Sequence, residues 1–145
     1  MAKVFERILY NQFCEYLTEN NNLISCNQSG ICLLHSTATA LLETTDNWAF
    51  SIDKSNVNAV IFLDLKKAFD IVDHSILLST LKAYGVGSKL SNWFKSYLDN
   101  RTQKCLVNGS LSDSQPLTCG IPQGTILGPL LFIFYINDLP NCLNS

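Results

Sequence analysis

Four successive residues, Val60-Ile61-Phe62-Leu63, favour an extended backbone, and the run ends abruptly in the carboxylate of Asp64. A continuous apolar run of this length reads as a strand covered on both faces. An acid at the end of such a strand emerges at the rim of the sheet, where open α/β folds place ligand and metal sites. The run therefore predicts a buried strand over 59–63 and makes Asp64 a candidate metal ligand from its position alone.

The 145 residues allow at most one domain, large enough for a real core. With 47% hydrophobic and 15% charged residues the chain is too apolar to stay disordered. Its net charge of -2 supplies no strongly basic footprint, so any nucleic-acid contact is expected to be local or to use parts missing from this chain. The cysteines Cys14, Cys26, Cys32, Cys105, Cys119 and Cys142 form neither a CxxC pair nor a Cys/His cluster at zinc spacing, and they read as reduced, mostly buried thiols. Residues 1–10 alternate charge and bulk and lack the apolar core of a signal peptide. The longest apolar run, 126–136, is too short to span a bilayer and contains Gly128 and Pro129. An intracellular setting, cytoplasmic or nuclear, and no membrane partner are the expectation.

Taken in order, Phe5, Leu9, Phe13 and Leu17, with Ile8 and Tyr16 beside them, repeat at helical spacing until the polar residues 19–22. Gln28-Ser29-Gly30 has the small and amide residues that let a backbone approach a ligand, although a plain loop is the simpler reading. His35-Ser36-Thr37 precedes a second helical pattern (Ala38, Leu41, Leu42, Thr45, Trp48, Ala49, Ile52), so Ser36 or Thr37 is its N-cap. A nucleophile–base pair of Ser36 and His35 is disfavoured because sequence neighbours on a helix do not face each other. Lys66 and Lys67 read as solvated turn lysines and Phe69 as a core aromatic. Asp73 is a natural N-cap for a helix through Ile76, Leu77, Leu81 and Tyr84, which Gly85 stops. Ser88 opens a helix through Leu90, Trp93, Phe94, Tyr97 and Leu98, closing at Asp99-Asn100. Asn108-Gly109 marks a type I′ hairpin between 102–107 and 110–118. Pro122 before a mostly apolar segment predicts a helix over 125–139, whose free N–H groups suit an anion. Gly124 would let a flat ligand lie against the backbone, with a simple turn glycine as the competing view.

Several of these segments form an ordered set: Phe62-Leu63-Asp64-Leu65-Lys66-Lys67-Ala68-Phe69-Asp70 with Val72-Asp73-His74, then Asn92-Trp93-Phe94-Lys95-Ser96-Tyr97-Leu98, then Gly120-Ile121-Pro122-Gln123-Gly124-Thr125-Ile126-Leu127-Gly128-Pro129, then Tyr135-Ile136-Asn137-Asp138-Leu139-Pro140. In order and spacing the set closely resembles the reverse transcriptases of non-LTR retrotransposons, from about Lys3 to about Leu143. The resemblance implies an α+β chain with a partial right-hand polymerase fold, a fingers-palm fragment. Its N-terminal part is helix-rich and a small antiparallel palm sheet follows. It further implies one partial reverse transcriptase domain, with about 1–55 forming fingers-like helices and about 56–145 part of the palm.

By the same resemblance Asp64 is the catalytic acid that binds Mg2+. Leu65, Lys66, Lys67 and Ala68 approach the triphosphate, Phe69 lies under the incoming sugar and excludes a 2′-hydroxyl, and Gln123 and Gly124 line the nucleotide pocket. The implied reaction is template-directed nucleotidyl transfer by RNA-directed DNA polymerase, with an RNA template, a DNA primer and a deoxynucleoside triphosphate as partners. The sequence departs from the family in two places. Ile31 and Cys32 stand where the family has an aromatic residue and a triphosphate-holding arginine, and a thiol cannot supply a guanidinium's bidentate clamp. The family's paired aspartates and thumb do not occur among these residues, and Asp138 belongs to the preceding helix-end motif. The expectation is a chain inactive by itself. The alternatives are a non-catalytic nucleic-acid-binding or protein-interaction remnant and, less favoured, a small metal-dependent hydrolase using Asp64, Asp70 and Asp73.

Overall fold

The computed structural model describes residues 2–20, 23–25, 28–30 and 35–142. Ile31 and Cys32, where the family's aromatic-arginine pair is replaced, lie outside them, as do Cys26 and the side chain of Cys142. The elements in chain order are α1 (Ala2–Glu19), α2 (Thr37–Asp53), α3 (His74–Ala83), α4 (Ser88–Leu98), β1 (Arg101–Gln103), β2 (Leu106–Val107), β3 (Ser110–Leu111), β4 (Gln115–Leu117), α5 (Leu127–Ile136) and α6 (Leu139–Cys142).

The core is built around α5, whose Leu127, Gly128, Leu130, Leu131, Ile133 and Phe134 are all buried. A helix apolar on nearly every side has to be enclosed. Leu9 and Phe13 of α1, Leu77 and Leu81 of α3, and Phe94 and Leu98 of α4 enclose it. Phe13 meets Phe94 and Phe134 edge-on, with ring centroids 5.7 and 5.8 Å apart. Quadrupole-matched contacts of this kind add to simple burial. On α1 the helical spacing selected the correct inner residues in Leu9 and Phe13, while Phe5, Ile8 and Tyr16 stay exposed. The helix over 125–139 is shorter than expected: α5 starts at Leu127, five residues past Pro122, and Pro129 occupies its first turn.

Two buried polar side chains fasten α5 at its ends. Glu6 of α1 accepts a hydrogen bond from the Ile126 backbone N–H (2.8 Å), placing a carboxylate at the positive end of the helix. It also accepts one from the Tyr97 hydroxyl (3.4 Å). Burial pushes the Tyr97 phenol up from its ordinary value; a hydrogen bond with Thr125 acts in the opposite sense, and the nearby charge of Glu6 adds to the rise. At the far end, Asn137 donates to the Leu23 carbonyl (2.8 Å) and the Tyr84 hydroxyl and accepts from the Ser25 N–H (2.9 Å). Neither role shows in a helical pattern, because each partner lies far away in sequence.

The caps follow the sequence expectations. Ser36 caps α2, accepting from the Thr39 N–H (3.1 Å) while the Thr39 hydroxyl accepts from the Ser36 N–H (2.7 Å). Asp73 caps α3, accepting from the N–H groups of Ser75 and Ile76 (2.8 and 3.0 Å). Gly85 follows α3 with φ +87°, and Asn100 follows α4 with φ 58°. The hairpin has Asn108 and Gly109 at φ 49° and 81°, the two positive values of a type I′ turn. It splits into two short ladders, β2–β3 (Leu106 opposite Leu111) and β1–β4 (Arg101 opposite Leu117), joined where the Ser112 N–H donates to the Cys105 carbonyl (2.8 Å).

The run at 59–63 corrects the expectation with which the sequence was read. Residues 56–65 form neither helix nor strand, and Val57, Ile61, Phe62 and Leu63 are 95, 84, 83 and 72% exposed. Strand propensity is realised only when a partner edge accepts the backbone hydrogen bonds. Here β1 to β4 pair only among themselves. The small antiparallel sheets therefore exist, but Asp64 is not on them. The structure is helix-rich α+β, and among the described residues no helix is long and apolar enough to cross a membrane. The cysteine expectation is corrected in part: Cys105 and Cys119 are exposed rather than buried, and Cys14 is half-buried. Both exposed cysteines lie on or beside the hairpin, which has no second layer over it.

The Asp73 cap yields a pH test. The hydroxyl of Ser75 and then the N–H groups of Ile76 and Ser75 hold its carboxyl below the ordinary aspartate value. A group depressed in the folded state stabilises above its unfolded pKa, and that contribution is lost as pH falls through the folded value. Urea unfolding of the native chain and of Asp73→Asn should differ most at neutral pH and converge toward about pH 3, below the unfolded aspartate value. A constant gap across that range would show that the charge does not hold the cap.

Candidate functional site

The segment after Asp64 turns back on itself. Lys66 to Asp70 forms a turn closed by the Asp70 N–H donating to the Lys67 carbonyl (2.8 Å), with Lys67 in the left-handed region at φ 55°. The following residues lie antiparallel to 119–121. The Ile121 N–H donates to the Phe69 carbonyl and the Gly120 N–H to the Val72 carbonyl, both at 2.8 Å. Val72 is completely buried beneath this pairing. These two hydrogen bonds dock the two motif segments on each other.

Gly120 is what permits so close an approach. Its φ is +87°, and a Cβ there would stand 2.9 Å from the Asp70 carbonyl oxygen and 3.1 Å from the Asp70 Cα. Its own carbonyl, which is buried, accepts from the Arg101 guanidinium (3.0 Å) and the His74 Nε2–H (2.9 Å). Arg101, at the start of the hairpin, and His74, at the start of α3, thus hold the glycine from behind. Gly124 differs: its φ is +74°, but nothing lies within 4 Å of a built Cβ. That glycine answers to the turn at 123–124 and leaves open space over its backbone.

Above the docked backbones Gln123 donates from Nε2 to Asp70 Oδ1 at 2.8 Å. Phe69 is half-buried, with its ring 4.9 Å from that of Phe132 on α5. The pairing therefore brings Asp70 and Gln123 together, with Phe69 next to Asp70 in the chain and packed on Phe132. Leu65, Lys66 and Lys67 are exposed and Ala68 is half-buried. Asp64 is exposed on the unpaired run that precedes the turn. Gln28-Ser29-Gly30 turns out to be a packing loop: a Cβ on Gly30 would meet Ile133 of α5 at 2.8 Å, so its backbone approaches the core.

The described residues do not make a metal centre. No group of three His, Cys, Asp or Glu side chains among them is arranged to hold an ion. Asp70 is engaged with Gln123 and Asp73 with the N-terminus of α3, so neither joins Asp64. A hard cation takes about six oxygen ligands, and one carboxylate falls far short. The same placement removes the hydrolase alternative that needed all three acids in one set. Asp70 was read as a turn residue; its second role was illegible because its partner lies 53 positions away.

The structure thus defines a helix-rich α+β domain on which an acid-bearing turn and a Gln-Gly turn are locked together at the surface. The chain matches the family "Reverse transcriptase (RNA-dependent DNA polymerase)" over residues 1–145. It is 32% identical over 151 residues to the "Probable RNA-directed DNA polymerase from transposon BS" of Drosophila melanogaster, an alignment covering 100% of this chain and 16% of that protein. It is 34% identical over 143 residues to the "RNA-directed DNA polymerase from mobile element jockey" of the same organism, covering 97% of this chain and 15% of the relative. A "Retrovirus-related Pol polyprotein from type-1 retrotransposable element R2" of Popillia japonica is 29% identical over 92 residues, covering 63% of this chain and 15% of the relative. The chain belongs to the reverse transcriptase family, in its non-LTR retrotransposon branch, and spans about one sixth of the length of the first two relatives.

The two glycines of the site predict a measurable contrast. Gly120→Ala combines left-handed strain with a collision at Asp70 and should destabilise by on the order of 3 kcal/mol in urea unfolding. Gly124→Ala carries the backbone strain alone and should cost about 1 kcal/mol. Equal effects would mean that the close approach at Gly120 is not what the docked pair depends on.

Proposed function

We propose that this chain is the nucleotide-facing portion of an RNA-directed DNA polymerase, with residues up to about 55 belonging to the fingers and those from about 56 to the palm. Support comes chiefly from one observation: the docking of 69–72 on 120–121, which sets the turn that carries Phe69 against the turn that carries Gln123, with Asp70 hydrogen-bonded to Gln123. Phe69 and Gln123 are the residues that the family resemblance assigns to the incoming sugar and the nucleotide pocket. Phe69 rests on Phe132 and so has little freedom to yield to a 2′-hydroxyl. Lys66 and Lys67, exposed on the turn, supply positive charge beside the backbone that faces the triphosphate.

The reaction is attack of a primer 3′-hydroxyl on the α-phosphorus of a deoxynucleoside triphosphate, with diphosphate leaving. Magnesium, when bound, would lower the pKa of the attacking hydroxyl and offset charge on the phosphates. Asp64 is one carboxylate toward that ion. Because the residues described here do not complete a metal site, the chain's own contribution is to bind and orient the nucleotide, and it is expected to be inactive by itself.

Primer extension on an RNA template tests both statements. The 145-residue chain with Mg2+ and deoxynucleotides should give no product, and robust synthesis would refute its incompetence. A chimera carrying this stretch in place of the aligned segment of the jockey polymerase should extend the primer. Asp64→Asn should reduce that activity at least about a hundredfold, as expected for loss of a metal-binding carboxylate. Phe69→Ala should raise ribonucleotide use relative to deoxynucleotide use. A folded but inactive chimera would remove the polymerase reading.

A non-catalytic binding role is favoured by a different observation, the broad exposure of apolar residues on α2 (Leu41, Leu42, Phe50, Ile52) and along 57–65. If nucleic acid is the partner, affinity for primer-template should fall with salt and be lost when Lys66, Lys67, Arg101 and Lys104 are neutralised. Absence of binding at low salt would eliminate that role.

A further inference from the structure

We propose that Asp70 is a positioning residue for Gln123, fixing which face of the Gln123 amide is presented to the nucleotide. The inference rests on the polymerase reading above and extends it to a side chain that the motif comparison left as a turn acid. Its geometry is the 2.8 Å contact from Gln123 Nε2 to Asp70 Oδ1.

The chemistry of the pair selects one amide orientation. An ionised carboxylate only accepts hydrogen bonds, so the atom facing it has to be the NH2 group and not the carbonyl oxygen. Gln123 is thereby left with Oε1 and its second N–H for other partners. A glutamine's terminal torsion is otherwise broad and nearly two-fold, and both faces of the amide would be sampled. Since Gln123 is exposed, no packing contact substitutes for Asp70 in making that choice.

The backbone makes the choice durable. Asp70 is anchored on both sides: its N–H donates to the Lys67 carbonyl (2.8 Å), and its own carbonyl accepts from the Cys119 thiol (3.3 Å). Gln123 stands two residues beyond Ile121, whose N–H is bonded to Phe69, and Pro122 between them fixes its own φ. The Asp70–Gln123 contact is therefore a side-chain rung above two backbone rungs. The turn that carries Phe69, which the polymerase reading assigns to the sugar, also carries the acid that orients the glutamine, so one displacement would disturb both.

Two measurements test the assignment. In the 145-residue chain, one Nε2 proton of Gln123 should be shifted downfield and exchange slowly by NMR. Asp70→Asn should return it to the values of a free glutamine while the Gly120 and Ile121 amides stay protected. In the jockey chimera, Asp70→Asn should raise KM for deoxynucleotide about tenfold with kcat nearly unchanged, as expected for loss of a charge-assisted hydrogen bond that organises binding. Asp70→Glu should recover part of the loss. In a Gln123→Ala background, Asp70→Asn should have no further effect, because its influence passes through the glutamine. Additive losses, or an Asp70→Asn variant with unaltered KM in an active chimera, would overturn the positioning role alone. A folded, inactive parent chimera would remove the polymerase reading and this role with it. A Gln123 resonance indifferent to Asp70 would overturn the contact itself.

Discussion

The structure depends on the burial of α5. A helix carrying Leu, Ile and Phe on nearly every side cannot remain at a surface, and α1, α3 and α4 are arranged as its walls. Each fully buried side chain of this kind is worth about 1.5–3 kcal/mol, so the enclosure dominates any single polar contact. Polar groups nevertheless decide how the walls are oriented. Glu6 ties α1 to the start of α5, and Asn137 ties its end to Leu23, Ser25 and Tyr84. An unsatisfied amide or carboxylate in these buried positions would be costly, which makes both residues specific as well as stabilising.

The candidate site is a by-product of that enclosure. Ile121 is buried and Val72 wholly so, and the backbone pairing between 69–72 and 120–121 brings an acid-bearing turn and a Gln-Gly turn together. Gly120 carries the steric burden of the approach, while Arg101 and His74 satisfy its carbonyl. Phe69, Asp70 and Gln123 are consequently placed by a core-anchored backbone rather than by a mobile loop, the condition for side chains that orient a ligand.

A second set of residues has the opposite character. The run 57–65 and the apolar positions of α2 have the composition of buried elements and the exposure of surface ones. An extended, apolar and unpaired backbone is a ready template for another strand.

Much of the local structure was legible in the residues themselves. Helical spacing located α1 to α4, Ser36 and Asp73 marked two helix starts, and Asn108-Gly109 specified a type I′ turn, because caps and turns are settled by neighbours within a few positions. Motif order also sufficed for the family. Tertiary structure alone decided the rest. Asp64 and its apolar run were read as a buried strand, yet a strand exists only where a second edge accepts its hydrogen bonds, and local sequence does not reveal that edge. Glu6, Asn137 and the Asp70–Gln123 pair were likewise invisible, since their partners lie 53 to 120 positions away and meet only when α5 is enclosed. The sequence by itself determined the caps, the turns and the family; the packed core determined which distant residues stand together, because their partners meet only when α5 is enclosed.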